Sequence, residues 1–107
     1  MILNMIILSG TSIYSPPEWI ESKHYLVKQL ESWEIGSLLF NMITGDIPFK
    51  THNDIIKAPI LMDSASVECQ DLILSCLCRN REKRLELDKI LSHKLFQKYH
   101  MSIGIEI

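Results

Sequence analysis

No block of like charge occurs anywhere in the 107 residues. The 11 Lys and Arg are nearly balanced by 13 Asp and Glu, for a formal charge of −2. Without a basic field to attract a phosphate backbone, nucleic acid is not an expected partner. Long apolar runs are missing as well. The stretch Met1 to Leu8 is interrupted by Asn4, has no Lys or Arg ahead of it, and is far shorter than the ~20 residues of a membrane span. Neither a signal peptide nor a membrane partner is expected. Paired cysteines are lacking too, since Cys69, Cys76 and Cys78 are odd in number and never at C-x2-C spacing. This excludes a disulfide framework and a zinc knuckle and suits a reducing compartment, cytoplasmic or nuclear. His24, His52 and His100 show no metal-ligand spacing, and no metal site is expected. With four glycines and four prolines, none gathered into a linker, and no internal repeat, the chain reads as one unit.

What is present is apolar matter in helical order. At 47% apolar and 22% charged residues the composition is that of a folded domain. A chain of this length buries roughly 65% of its unfolded surface, enough for a small core and too little for a two-lobed enzyme. Ser15-Pro16-Pro17-Glu18 forces extended backbone and then offers fixed φ and an acid to the first turn of a short helix through Trp19 and Ile20. From Glu31 to Ile43, Trp33, Ile35, Leu38, Leu39, Phe40, Met42 and Ile43 go nearly all the way round, with only Glu31 and Glu34 charged. The pattern predicts a helix buried on most sides. Gly36 costs about 1 kcal/mol of helix propensity against Ala, a loss that makes sense where another backbone packs closely. Gly45 then closes the helix ahead of Pro48.

Ser66 suits the N-cap of a second long helix, with Glu68 in its first turn and Cys69, Leu72, Ile73, Cys76 and Leu77 along one stripe. Cys69 and Cys76, seven apart, share a face and read as small buried hydrophobes. A third helix is expected from about Glu86, with Leu87, Ile90, Leu91 and Leu95 on one side. No segment shows sustained strand alternation, so the fold is expected to be mainly α.

The run Gly10-Thr11-Ser12-Ile13-Tyr14-Ser15-Pro16-Pro17-Glu18 resembles the substrate-facing loop and P-P-E signature of serine/threonine protein kinases. The resemblance continues through Trp33-Glu34-Ile35-Gly36, Gly45-Asp46-Ile47-Pro48-Phe49, Glu68 to Ile73, then Arg84 and Ser92-His93. These blocks stand in family order and are most similar to the Pim family. The resemblance implies a partial kinase-like fold, the large C-terminal lobe from its substrate loop through helices F to I only. It divides the chain into a non-family segment at 1–9, the lobe at 10–100, and a tail at 101–107. Met1 to Leu8 reads either as an apolar extension of the core or as the artefactual start of a truncated gene model.

Phosphoryl transfer in this family needs a Gly-rich phosphate loop, a strand lysine with its helix glutamate, a catalytic-loop Asp and Asn, and a metal-binding D-F-G. The sequence contains none of these. His52-Asn53-Asp54 has the look of H-R-D, but Pro59 stands where the Asn belongs, and the triplet follows the Gly45 block that it should precede. It reads as a surface loop. ATP and magnesium, the cofactors of the intact family, therefore have no expected binders here, and no catalytic residue is assigned.

The resemblance assigns other roles. Glu18 and Arg84 match a buried structural ion pair, of the kind in which losing one partner costs ~3–5 kcal/mol. Gly10, Thr11, Tyr14, Ser15, Pro16 and Pro17 match the loop that receives the phosphoacceptor segment, although the catalytic Asp and Lys that the family's threonine bonds are absent. Asp46 matches an acid that attracts the basic, Arg-rich substrates of Pim kinases. That pattern is eroded, because Asn41 and Lys50 stand where the family has acids, each change being worth ~0.2–1 kcal/mol if exposed. Arg84-Leu85-Glu86 replaces Arg-Pro-Thr and loses an N-cap worth ~1 kcal/mol. His93 reads as a packed or capping ring.

The expected function is thus that of a Pim-like serine/threonine-kinase fragment, inactive alone, whose partner is a protein substrate or regulator. The alternative is a non-catalytic binding module or truncated paralogue. Helix F of a whole kinase meets a catalytic loop that this sequence does not contain, so an exposed apolar patch and self-association are expected.

Overall fold

The computed structural model of the chain describes residues 13–63 and 65–96. Among the described residues the α-helices α1 Pro17–Ser22, α2 Val27–Thr44, α3 His52–Lys57 and α4 Val67–Cys76 follow one another. A 3₁₀ helix, Leu87–Ser92, comes next. Among the described residues there is no strand, and no helix is long and apolar enough to cross a membrane.

Each helix begins and ends for a local reason. Pro17 opens α1 at a position where its missing N–H costs nothing, and Lys23 closes it in the left-handed region at φ 55°. Gly45 ends α2 at φ 74°, where its N–H returns to the Asn41 carbonyl. The Ser66 hydroxyl accepts the Cys69 N–H at 3.2 Å and caps α4. Thr51 does the same for α3, accepting the Asp54 N–H at 3.1 Å.

The helix α2 is the central rod. Its side carrying Trp33, Gly36 and Phe40 packs on α4 and on the 3₁₀ helix, while α1 meets α3. Trp33, Phe40, Phe49, Ile55, Met62, Cys69, Ile73 and Leu77 form the main core, and Leu72, Cys76 and Ile90 a second one behind α4. Side chains of this size each contribute about 1.5–3 kcal/mol when fully buried. Gly36 sits where the rods come closest, since a Cβ on it would lie 2.7 Å from the Cys76 Cβ. The close approach inferred from the helix-propensity cost is therefore real.

Several expectations need correction. The helix expected over Glu31–Ile43 begins four residues earlier, at Val27; it is buried on most sides as far as Phe40 and turns to water at Leu38 and in its last turn. Leu38, Met42 and Ile43 are exposed, whereas Glu34 is fully buried. The triplet His52-Asn53-Asp54 is the first turn of α3 and not a loop, because Thr51 supplies an N-cap that the sequence pattern did not register. The three cysteines, which the pattern puts inside one helix, are divided by its end, since α4 stops at Cys76 and Cys78 lies beyond it. The helix expected from Glu86 is a 3₁₀ turn in which Ile90 is buried and Leu91 points to water. Three residues per turn and a missing cap bring a different set of side chains inward. The segments at 1–9 and 101–107, together with Gly10 and Thr11, lie outside the described residues.

Candidate protein-target surface

Two segments form the surface that the sequence singled out, and each is tied to α2. The first is the loop Tyr14–Pro17. Ser15, Pro16 and Pro17 are buried and Tyr14 is half-buried. Directly after them Glu18 receives a two-pronged pair from Arg84, Nη1 to Oε2 at 2.7 Å and Nη2 to Oε1 at 2.8 Å. The Arg84 side chain is withdrawn from water and the Glu18 side chain nearly so. Arg84 Nε donates to the Cys78 carbonyl at 2.9 Å, and Nη1 also donates to the Gln29 carbonyl at 2.9 Å. The guanidinium carbon stands 5.0 Å from the Trp33 ring centre. One side chain thus ties the loop to the start of α2 and to the turn after α4, with its charge neutralised by a fork-to-fork match.

The second segment is the turn Gly45–Lys50 with α3 behind it. The Thr44 hydroxyl donates to the Phe40 carbonyl at 2.8 Å and accepts the Asp46 N–H at 3.2 Å. Asp46 Oδ1 accepts the Ile47 N–H at 2.8 Å, and the Asn41 amide donates to the Asp46 carbonyl at 3.2 Å. Phe49 stacks on Trp33 with ring centres 5.8 Å apart and planes 15° from parallel. Asp46 is exposed, and Lys50 Nζ lies 3.9 Å from its Oδ2. The acid matched to basic targets is thus partly neutralised by its own neighbour. Asn41, the other altered position, spends its amide on the turn.

Sequence reasoning missed two residues of weight here. Arg79 donates Nε to the Ile55 carbonyl at 2.7 Å and Nη2 to the carbonyls of Asp54, at 3.1 Å, and Ala58, while its guanidinium lies 5.4 Å from the Phe49 ring centre. Nothing in Cys78-Arg79-Asn80 signals this, because its partners are 21 to 25 residues away. Glu34 is the other. Both of its carboxylate oxygens are buried without a hydrogen-bond partner, and burial pushes its pKa above the ordinary carboxylate value. In the sequence it stood only as one of the two charges on an otherwise apolar helix.

His93 accepts the Leu95 N–H at Nδ1, 3.1 Å, and its Nε2 lies 2.6 Å from Asp71 Oδ2. It is a capping ring. The Nδ1 acceptor role places the proton on Nε2. Cys69 and Cys76 are buried, which raises both thiol pKa values, that of Cys76 to about 11 despite the nearby Arg84 charge.

The described residues do not fit a magnesium nucleotide. No three His, Cys, Asp or Glu among them are gathered as metal ligands. A cleft of about 490 Å³ between the start of α2 and the 81–88 segment mixes Lys28 and Arg81 with Glu82, Glu86 and Asp88, and no glycine lines it to let backbone approach a phosphate.

A helical lobe without strands among its described residues, a P-P-E loop clamped by a buried arginine, and a G-D-I-P-F turn stacked on a helix tryptophan define the C-terminal lobe of a kinase domain. The Protein kinase domain family matches residues 4–96, and the chain belongs to that family. Among curated proteins the chain is similar to Serine/threonine-protein kinase pim-2 of Danio rerio, 46% identical over 85 residues, or 78% of this chain and 27% of that protein. It is also similar to Serine/threonine-protein kinase prk-2 of Caenorhabditis elegans, 35% identical over 98 residues, 87% of this chain and 22% of that one. Testis-specific serine/threonine-protein kinase 5 of Mus musculus is 36% identical over 90 residues, 78% of this chain and 24% of that one. These are serine/threonine kinases, and the chain spans about a quarter of their length.

Proposed function

We propose that this chain is the protein-gripping part of a Pim-like serine/threonine kinase and does not transfer phosphate alone. Support for the branch comes from the 46% identity with pim-2, higher than with the other relatives named above. Support for the role comes above all from the Tyr14–Pro17 loop, held in a fixed shape by the Glu18–Arg84 fork. Ser15, Pro16 and Pro17 are buried, so within Tyr14–Pro17 it is the half-buried Tyr14 that is left to meet a peptide, and pinning it in place leaves little ordering cost at binding. Asp46 supplies a negative charge for a basic target, tempered by Lys50. Inactivity rests on the absence from the sequence of D-F-G, of a usable H-R-D and of a Gly-rich phosphate loop. ATP and magnesium enter only in the intact family.

The exposed side chains of Leu38 and Met42, one turn apart on α2, favour a second reading, a non-catalytic module that engages kinase substrates or regulators or pairs with itself. One experiment addresses both. The purified chain is offered labelled Mg-ATP with an Arg-rich peptide, and peptide binding is followed separately by fluorescence anisotropy. Binding without label transfer is the expected result. Label in the peptide or in the chain refutes inactivity, and no binding at all removes the protein-gripping role.

A further inference from the structure

We propose that Arg79 is the positioning residue of the candidate target surface, a single clasp that holds the Gly45–Lys50 turn and α3 as one body. The proposal rests on the reading of those segments as target-facing. It does not depend on any catalytic step.

The helix α3 has six residues, too few to persist by its own hydrogen bonds, and a six-residue helix leaves most of its carbonyls without an internal partner. Arg79 supplies what is missing. Its Nε and Nη2 donate to the carbonyls of Asp54, Ile55 and Ala58, which run from the third residue of the helix to its C-cap and open toward its C-terminal end. A cation there is also favoured by the helix dipole. The Asp54 carbonyl is shared with the Ala58 N–H at 2.9 Å, so the guanidinium binds at the very turn that closes the helix.

The same guanidinium faces the ring of Phe49, 5.4 Å from its centre, and Phe49 is the last residue of the G-D-I-P-F block. Phe49 in turn stacks on Trp33 of α2, the indole that also carries Arg84 and through it Glu18. Contacts therefore run unbroken from α3 through Arg79, Phe49, Trp33 and Arg84 to the Tyr14–Pro17 loop. Only Arg79 in that series touches both α3 and the turn through one planar group. A lysine cannot replace it, because a single ammonium on a flexible stem does not span three carbonyls and a ring face at once.

The test is hydrogen–deuterium exchange on the full 107-residue chain, unaltered and as Arg79→Lys. The expected result is exchange about tenfold faster at Ile56, Lys57 and Ala58 and, together with them, at Asp46, Ile47 and Phe49, with α4 amides unchanged within about twofold. Acceleration in α3 alone, acceleration spread evenly over the chain, or no acceleration overturns the clasp. Arg79→Met, which keeps the stem and drops the donors, should give the same pattern more strongly, and a silent Met variant also overturns it. Anisotropy with the Arg-rich peptide adds an independent reading. Where the unaltered chain binds, Arg79→Lys should weaken binding about fivefold or more, and equal binding refutes a positioning role. Failure of the unaltered chain to bind sinks the target-surface reading instead, while the exchange pattern still decides the clasp.

Discussion

Arg84 and Glu34 are both withdrawn from water, and the fold treats them in opposite ways. Arg84 is 4% exposed and has every arm of its guanidinium occupied, by two oxygens of Glu18 and the carbonyls of Cys78 and Gln29, with the Trp33 ring alongside. Glu34, immediately after Trp33 on the same helix, is 0% exposed, and neither carboxylate oxygen has a partner. Ser37, one turn further on, likewise has a buried hydroxyl oxygen without one. The difference separates two sides of α2. One holds a loop in place through the fully paired guanidinium of Arg84, although Trp33 Nε1 and Gln29 Oε1 beside it are buried without a partner. The other carries polar groups whose burial is uncompensated, and such groups cost stability in proportion to the hydrogen bonds they lack.

The sharpest way to break the comparison is Arg84→Ala. Removing it leaves the Glu18 carboxylate buried and the two carbonyls empty, and a loss of about 3–5 kcal/mol is expected, enough to unfold a small domain. Thermal melting followed by circular dichroism checks this; a transition at the unaltered temperature refutes the joint as a stabilising feature.

Glu34→Gln should go the other way. Burial, with the nearby Glu31 carboxylate adding to it, raises the Glu34 pKa above its ordinary 4.5. The folded state therefore binds the proton more tightly than the unfolded state, and stability falls as pH rises from about 4.5 through the raised value. Above the raised value the full cost of the buried carboxylate is present. The glutamine variant should be more stable by about 1–3 kcal/mol at pH 7 and show a flatter dependence below it, measured by urea denaturation at several pH values. A less stable variant would mean that the carboxylate has a partner after all.

Gly36→Ala tests the α2–α4 contact that both sides share. A Cβ placed 2.7 Å from Cys76 Cβ and 3.0 Å from Leu77 Cγ forces the helices apart, for an expected loss of about 1–3 kcal/mol in the urea midpoint despite alanine's better helix propensity. An increase in stability would show that the two helices yield easily. The smallest effect is chemical. Cys78 is half-buried while Cys69 and Cys76 are buried with raised pKa values, so a thiol reagent at pH 8 should modify Cys78 first and the other two only on unfolding. Three equal rates would contradict the burial of α4.

Much of the local structure was legible because its causes are local. Pro17 at the start of α1, Ser66 capping α4, Gly45 ending α2 and the tight fit at Gly36 all follow from backbone requirements that particular residue types meet. The matched positions of Glu18 and Arg84, 66 residues apart, came from resemblance and not from spacing. The few apolar positions of α2 that face water, Leu38, Met42 and Ile43, were not separable from the buried ones, because a nearly all-round apolar pattern gives no direction, and direction depends on which neighbours are present. Arg79 was invisible for the same reason, since its three carbonyl partners carry no side-chain signature at all.

By itself the sequence determined that the fold is mainly helical, where α1 and α4 start and α2 stops, and that its motifs are those of a kinase C-terminal lobe. Those are properties of short-range sterics, capping and residue identity. Only the tertiary structure decided that Arg84 is fully paired while Glu34 is not, that Lys50 shadows Asp46, and that Arg79 ties α3 to Phe49. The physical reason is that hydrogen bonding and desolvation depend on atoms brought together across tens of residues, and no pattern along the chain encodes the angle at which two packed helices present them.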